Sequence, residues 1–451
     1  IDMLVRKISR EIEHWIDNSQ KALIIYGARQ VGKTYIVRSV LEAREADYVE
    51  FNLIRDKSAL DILRGFTSVA ALILKLSLLS EKPLTPYKTF IFFDEIQEYP
   101  EIVTTIKFLV EDGRFRYILS GSLLGVEVKN IKSAPVGYLQ SLTMYPLDFE
   151  EFLQLFHVDK KIMDGLKNCY IKRQPVDEVI HKRFNEIFNL YLIIGGMPAA
   201  VDAYQRTNNI DDVITEHNSI IEQYKQDFTK YEAQHKRLFL TRIYDIIPAE
   251  LNEKNKRFNV SDLEKGARYD RIKDDFIWLT AAGVAIATYN VTEPVLPLSL
   301  NEKASLFKLF LSDVGLLTTI YGKATKLKIV NGAAGINRGG IFENAVAQEL
   351  TAHGYASYYY VSKKFGELDF VFEHDGHVLP IEVKGGKDYT RHSALDNVLN
   401  VEEYGIPEAF VFSSANIAVD GKVVYYPVYM TMFLSEEIEA DSILPLSRFS
   451  F

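Results

Sequence analysis

Gly27-Ala28-Arg29-Gln30-Val31-Gly32-Lys33-Thr34 lies between an apolar run, Ala22-Leu23-Ile24-Ile25-Tyr26, and a helical pattern, Tyr35-Ile36-Val37-Arg38-Ser39-Val40-Leu41. It reads G-x-x-x-x-G-K-[ST] in the strand–loop–helix context of a phosphate-binding loop. The glycines let successive backbone N–H groups turn inward on an anion, and the helix N-terminus adds its dipole. Lys33 is placed to neutralise β/γ-phosphate charge and Thr34 to ligate Mg²⁺. The stretch from Gly27 to Tyr35 therefore predicts a nucleoside triphosphate site. Purine choice stays open, because no base-specificity motif is legible.

Working outward, Tyr48-Val49-Glu50-Phe51-Asn52-Leu53 reads as a second strand and Thr89-Phe90-Ile91-Phe92-Phe93-Asp94-Glu95 as a third. Large apolar residues running into Asp-Glu suit a parallel strand buried on both faces, whose carboxyl end points into a ligand crevice. Asp94 is expected to hold Mg²⁺ and Glu95 to polarise the attacking water. A fourth strand, Arg116-Tyr117-Ile118-Leu119-Ser120-Gly121-Ser122, ends in hydroxyls. Ser120 or Ser122 is either a polar sensor of the γ-phosphate or an ordinary turn residue. Leu4, Ile8, Ile12 and Ile16 recur every fourth position and predict an amphipathic helix over 4–20.

Composition sets the bounds. A chain of 451 residues with 47% apolar and 25% charged content suggests two to four globular domains. The one cysteine, Cys169, excludes a disulfide framework and any multi-cysteine zinc site. That usage, with charges interrupting residues 1–14, leads us to expect a cytoplasmic protein with no signal peptide. The longest apolar stretch, Val69–Leu79, is too short for a membrane span and reads as a buried helix. A net charge of −9 argues against a surface coated in basic residues for nucleic acid, although not against local basic patches.

Taken together, Gly27–Thr34, Phe90–Gln97, Ile118–Ser122 and Met144-Tyr145-Pro146-Leu147-Asp148-Phe149-Glu150-Glu151-Phe152 resemble bacterial and archaeal AAA+-type ATPases. These carry a C-terminal domain of unknown function related to restriction-type nucleases. The resemblance covers nearly the whole chain, and it implies ATP and Mg²⁺ as cofactors and a homo-oligomer, ring or hexamer. Family members usually carry Gly-Arg or Gly-Lys before the Tyr-Pro-Leu motif, where this chain has Gly137-Tyr138. A basic nucleotide sensor is therefore not expected there. Arg29, Arg114 and Arg116 are either γ-phosphate or inter-subunit arginines, or surface residues near turns.

Residues 153–230 show a helical pattern, broken by Gly195-Gly196-Met197-Pro198. Two glycines supply a backbone turn and the proline starts the next helix. Residues 235–290 read as a helix-turn-helix with a wing, and Arg268, Arg271 and Lys273 lie on the candidate recognition helix. Asp270, Asp274 and Asp275 share that helix, so either DNA or a protein suits it.

In the C-terminal part, Glu343 lies on an amphipathic helix, Asp369 on a strand, and Glu382-x-Lys384 on the next strand. The pattern resembles the PD-(D/E)XK nuclease signature. Glu382 and Lys384 alternate, so they share one face of their strand. With Glu343 and Asp369 they suit one or two Mg²⁺ ions, with Lys384 orienting the attacking water. Lys387 and Arg391, and Lys363 and Lys364 opposite, are candidate phosphate contacts. The domain is either an active nuclease or a folded binding remnant.

The expected architecture is α/β at both ends. An AAA+-like P-loop core (1–150) leads into a helical lid (151–230) and a winged helix (231–300). A restriction-endonuclease-like domain (301–451) follows. The expected function is a Mg²⁺-dependent ATPase acting on branched or single-stranded DNA, with no membrane partner. The alternatives are a nucleotide-gated switch with a protein partner and an ATP-coupled nuclease.

Overall fold

The computed structural model describes residues 4–122, 137–230, 234–253, 256–263, 269–332 and 337–435. The first unit is a five-stranded sheet: β1 (Ala22–Tyr26), β2 (Tyr48–Asn52), β3 (Phe90–Asp94), β4 (Arg116–Ser120) and β5 (Leu139–Thr143). The order is β2-β3-β4-β1-β5 and every pairing is parallel. Helices cover both faces, which explains the unbroken apolar runs of β1 and β3. Helices Ile8–Asn18 and Lys33–Ala43 bury Ile12, Trp15, Val37 and Leu41 against Leu23 and Ile25. On the other face, Leu60, Leu72, Leu76 and Ile106 pack on Ile24, Ile91 and Phe93. Helix Val69–Leu79 is not buried all round: Leu74 and Leu78 are exposed while Leu72, Ile73 and Leu76 are covered.

Four helices follow, Lys160–Lys172, Glu178–Ile194, Pro198–Thr207 and Ile210–Lys230. The Gly195-Gly196 turn lies where three segments cross. A Cβ on Gly196 would come 2.0 Å from the Leu147 carbonyl oxygen, and one on Gly195 2.1 Å from Asp313 Oδ1. The Leu147 N–H donates to Gly196 O at 2.8 Å, and the Gly196 N–H to Asp313 Oδ2 at 2.6 Å. The last carbonyls of helix Glu178–Ile194 need partners, as helix C-termini do. Buried Lys326 donates to Ile193 O, and His217 Nε2 lies 2.9 Å from Ile194 O.

The second sheet has eight strands: β6 (Ala285–Val291), β7 (Glu302–Leu311), β8 (Tyr358–Ser362), β9 (Gly366–His374), β10 (His377–Val383), β11 (Ala409–Ser413), β12 (Ala418–Asp420) and β13 (Val423–Pro427). Its order is β12-β13-β11-β10-β9-β8-β6-β7, with mixed parallel and antiparallel pairings. The strand expected as a wing, Ala285–Tyr289, is therefore β6 of this larger sheet. β6 pairs antiparallel with β7 and parallel with β8, so the boundary drawn at 300/301 falls between two hydrogen-bonded strands. The one drawn at 150/151 falls inside helix Phe149–Phe152, whose capping box joins Asp148 to Glu151. Helix Tyr269–Ala281 buries Ile272, Phe276, Trp278 and Leu279. One apolar core runs from Ile8 to Leu434 through both sheets and the helices between them.

Candidate nucleotide site and C-terminal carboxylate cluster

The loop after β1 takes the backbone shape its glycines permit. Gly27 and Gly32 have φ of 147° and 98°, and Gly32 precedes helix Lys33–Ala43. The Lys33 ammonium folds into the loop, 3.0 Å from Gly27 O and 2.8 Å from Ala28 O. Burial pushes its pKa down to about 8, against the opposing pull of Glu95 and Asp94.

β4 lies between β1 and β3, so three strand ends converge on Asp94. Thr34 Oγ1 donates to Asp94 Oδ2 at 2.9 Å, and Asn52 Nδ2 to the same oxygen at 3.0 Å. Ser120 donates to Asp94 Oδ1. The sequence reading missed Asn52, although it ends β2 and stands in register with Asp94. Ser120 faces the carboxylate, and Ser122 is buried at the same end of the sheet. Glu95 holds φ 58°, ψ 44°, a left-handed conformation uncommon outside glycine, and accepts a hydrogen bond from Gln97. This donor set suits nucleotide and Mg²⁺: glycines shaped as a cradle, an ammonium inside it, and a hydroxyl on a buried carboxylate.

Other elements enclose the loop. Arg29 is paired with Asp227 on helix Ile210–Lys230 at 2.6 Å, and Gln30 donates to Gln223. A Cβ on Gly283 would lie 3.1 Å from the Ala28 nitrogen. Arg6 reaches Val31 O at 3.2 Å and Tyr145 O at 2.8 Å, and pairs with Glu151 at 3.1 Å. The other two candidate arginines lie elsewhere. Arg114 pairs with Asp112, while Arg116, at the start of β4, donates to the carbonyls of Trp15, Ile16 and Ser19.

Glu343, Asp369, Glu382 and Lys384 come together as the sequence suggested, but not alone. Lys308 of β7, with a fully buried side chain, stands 2.6 Å from Glu367, 3.8 Å from Glu343 and 3.9 Å from Asp369. Lys256 pairs with the other oxygen of Glu343, and Lys384 with Glu382 at 3.1 Å. The Val383 N–H donates to Asp369 Oδ2 at 2.9 Å. Burial and Asp369 raise Glu343 to about 7 and Glu382 well above the carboxylate range. A divalent ion here does not fit, because an ammonium already lies beside the carboxylates that would bind it.

Among the described residues, one group of three acidic and imidazole donors has its ligand atoms all within 4.8 Å of one another, Asp148, Glu349 and His353. Lys7 already stands 2.6 Å from Asp148. These groups join the two units, since Glu349 accepts from the Phe149 N–H at 2.7 Å. Of the candidate nucleic-acid contacts, Lys273, Lys363, Lys364, Lys387 and Arg391 are exposed. Arg268 lies outside the described residues, and the side chain of Arg271 is not described.

Residues 19–153 match a family model described as an AAA domain. Residues 185–327 and 338–429 match two models described as domains of unknown function, DUF8612 and DUF4143. No curated protein matches the sequence. Similar solved structures include a Walker-type ATPase of Pyrococcus abyssi, 16% identical over 71% of this chain and 96% of its own, with a TM-score of 0.43. Cdc6p of Pyrobaculum aerophilum is 12% identical over 74% and 96%, with a TM-score of 0.29. The structure of Drosophila ORC bound to DNA gives 13%, 73%, 95% and 0.29. The AAA match and the parallel sheet that carries the loop support an AAA-like P-loop ATPase. For the C-terminal part, the match is to a domain of unknown function and the structure shows a mixed sheet. Neither supports the nuclease-like expectation.

Proposed function

We propose that the chain is a Mg²⁺-dependent ATPase acting on DNA. The observation that carries the ATPase part is the convergence of Thr34, Asn52 and Ser120 on Asp94, beside a glycine loop that holds Lys33. In this reading Gly27–Tyr35 hold the phosphates, and Thr34 and Asp94 hold the ion. When bound, Mg²⁺ supplies charge neutralisation at the β- and γ-phosphate oxygens. The chain's own residues do the rest. Asn52 and Ser120 fix the Asp94 carboxylate, the buried Lys33 supplies positive charge inside the loop, and Glu95 orients water.

The DNA part rests on the exposed basic residues Lys387 and Arg391, on the loop that follows Lys384. We also propose that the protein assembles with itself and acts in the cytoplasm. ATP hydrolysis measured without DNA and with single strand, duplex and four-way junction at one fixed salt concentration tests the ATPase and DNA parts, with Lys33→Ala as blank. Stimulation by one form supports the reading. Flat rates, with no binding at low salt, overturn its DNA part.

A second reading, a nucleotide-gated switch for a protein partner, is favoured by one observation. Lysines fill the C-terminal carboxylate cluster, as suits a scaffold rather than a cutting site.

A further inference from the structure

Four carboxyl groups, Glu343, Glu367, Asp369 and Glu382, share one pocket with the ammonium groups of Lys256, Lys308 and Lys384. They arrive on separate elements: β7, β9, β10, helix Arg338–Ala352, and the segment after helix Gln234–Asn252. Buried carboxyl groups packed this closely are neutralised by protonation, the form favoured at Glu343 and Glu382, or by positive charge, which either a bound cation or a side chain can supply. Here a side chain supplies it. Lys308 sits in the apolar stretch Leu306–Leu311, and its ammonium lies 5.1 Å from the centre of the Tyr359 ring. No part of that side chain reaches solvent, so the charge cannot swing away to admit an ion.

We propose that Lys308 is the resident cation of this cluster. It stands where a metal-dependent nuclease would hold its divalent ion, and the C-terminal domain therefore does not bind or use one. The pocket becomes a divalent-cation site only when Lys308 is removed. Removing the ammonium leaves Glu343, Glu367 and Asp369 short of positive charge, and carboxylate oxygens are the ligands that Mg²⁺ and Mn²⁺ favour. The inference concerns the C-terminal pocket alone and is independent of ATP turnover and of DNA binding.

The test uses the full chain without nucleotide, so that the phosphate loop contributes no Mn²⁺ site. Wild type and Lys308→Met are titrated with MnCl₂, following free Mn²⁺ by electron paramagnetic resonance and the melting temperature by scanning fluorimetry. Wild type should show no saturable Mn²⁺ binding, and no thermal shift, that Asp369→Asn removes. Lys308→Met should melt lower than wild type, and Mn²⁺ at about a hundredfold its dissociation constant should raise the melting temperature by about 3 °C. Adding Asp369→Asn to Lys308→Met should abolish that rise. Saturable Mn²⁺ binding by wild type that Asp369→Asn removes would overturn the proposal. So would a folded Lys308→Met variant that gains no site. Should the variant fail to fold with and without Mn²⁺, the wild-type titration decides alone.

Discussion

At Asp94 a single carboxylate collects three donors from three segments: Thr34 after the loop, Asn52 from β2 and Ser120 from β4. A hydrogen bond to a charged group contributes about 1.5–3 kcal/mol. Asn52→Ala should therefore lower ATP hydrolysis about tenfold or more and raise the Mg²⁺ concentration needed for half-maximal rate. Steady-state assays across a Mg²⁺ series check this; an unchanged Mg²⁺ dependence would remove Asn52 from the site. Lys33 gives a pH test. Its free-state pKa is pushed down to about 8 by burial, and bound phosphates favour the charged form. Below pH 8 the ammonium is already present; above it, binding must take up a proton. Apparent ATP affinity should therefore fall above pH 8, by up to about tenfold per unit. Titration of a fluorescent ATP analogue from pH 7 to 10 reads the effect, and Lys33→Arg should flatten it.

Among the elements, the Gly195-Gly196 turn and helix Lys160–Lys172 make opposite predictions for the same substitution. Gly196→Ala drives a methyl group into the Leu147 carbonyl, where a Cβ would stand 2.0 Å away. It should cost about 2–4 kcal/mol of stability, because the backbone on both sides is fixed. Gly165, inside helix Lys160–Lys172, has nothing within 4 Å of where a Cβ would stand. Gly165→Ala should stabilise by about 0.5–1 kcal/mol through helix propensity. Urea melts of the two variants check both signs. The motif Gly-Gly-Met-Pro was legible as a turn, and Pro198 does open helix Pro198–Thr207. What it turns against was not legible: Leu147 and Asp313 are far away in sequence, and only the crossing of three segments brings them to it.

Over the whole molecule, one apolar core joins the P-loop sheet, the helices and the eight-stranded sheet. Its two tryptophans lie at separate points, Trp15 against the first sheet and Trp278 on helix Tyr269–Ala281. A shared core predicts one cooperative transition. Trp15→Phe and Trp278→Phe, each leaving one reporter, should each give coincident fluorescence and circular-dichroism midpoints in urea. Separated midpoints would mean that the units unfold independently. The polar seam of Asp148, Glu349, His353 and Lys7 lies on the same path, linking the Tyr-Pro-Leu segment to helix Arg338–Ala352.

By itself the sequence determined the phosphate loop, the Asp94-Glu95 strand end, the strands β1 to β4 and the spacing of Glu343, Asp369, Glu382 and Lys384. These are local patterns: a glycine where φ is positive, an apolar run where both faces are covered, an alternation that sets a face. Only the tertiary structure decided that the expected wing belongs to the C-terminal sheet, that Arg29 faces Asp227, and that Lys308 enters the carboxylate pocket. One signal for the last was available, a lone lysine inside Leu306-Phe307-Lys308-Leu309-Phe310, since a buried ammonium must find an anion. Which anion was not written there. Charge compensation acts through space, and the groups that satisfy Lys308 lie 35 to 61 residues along the chain, at Glu343, Glu367 and Asp369.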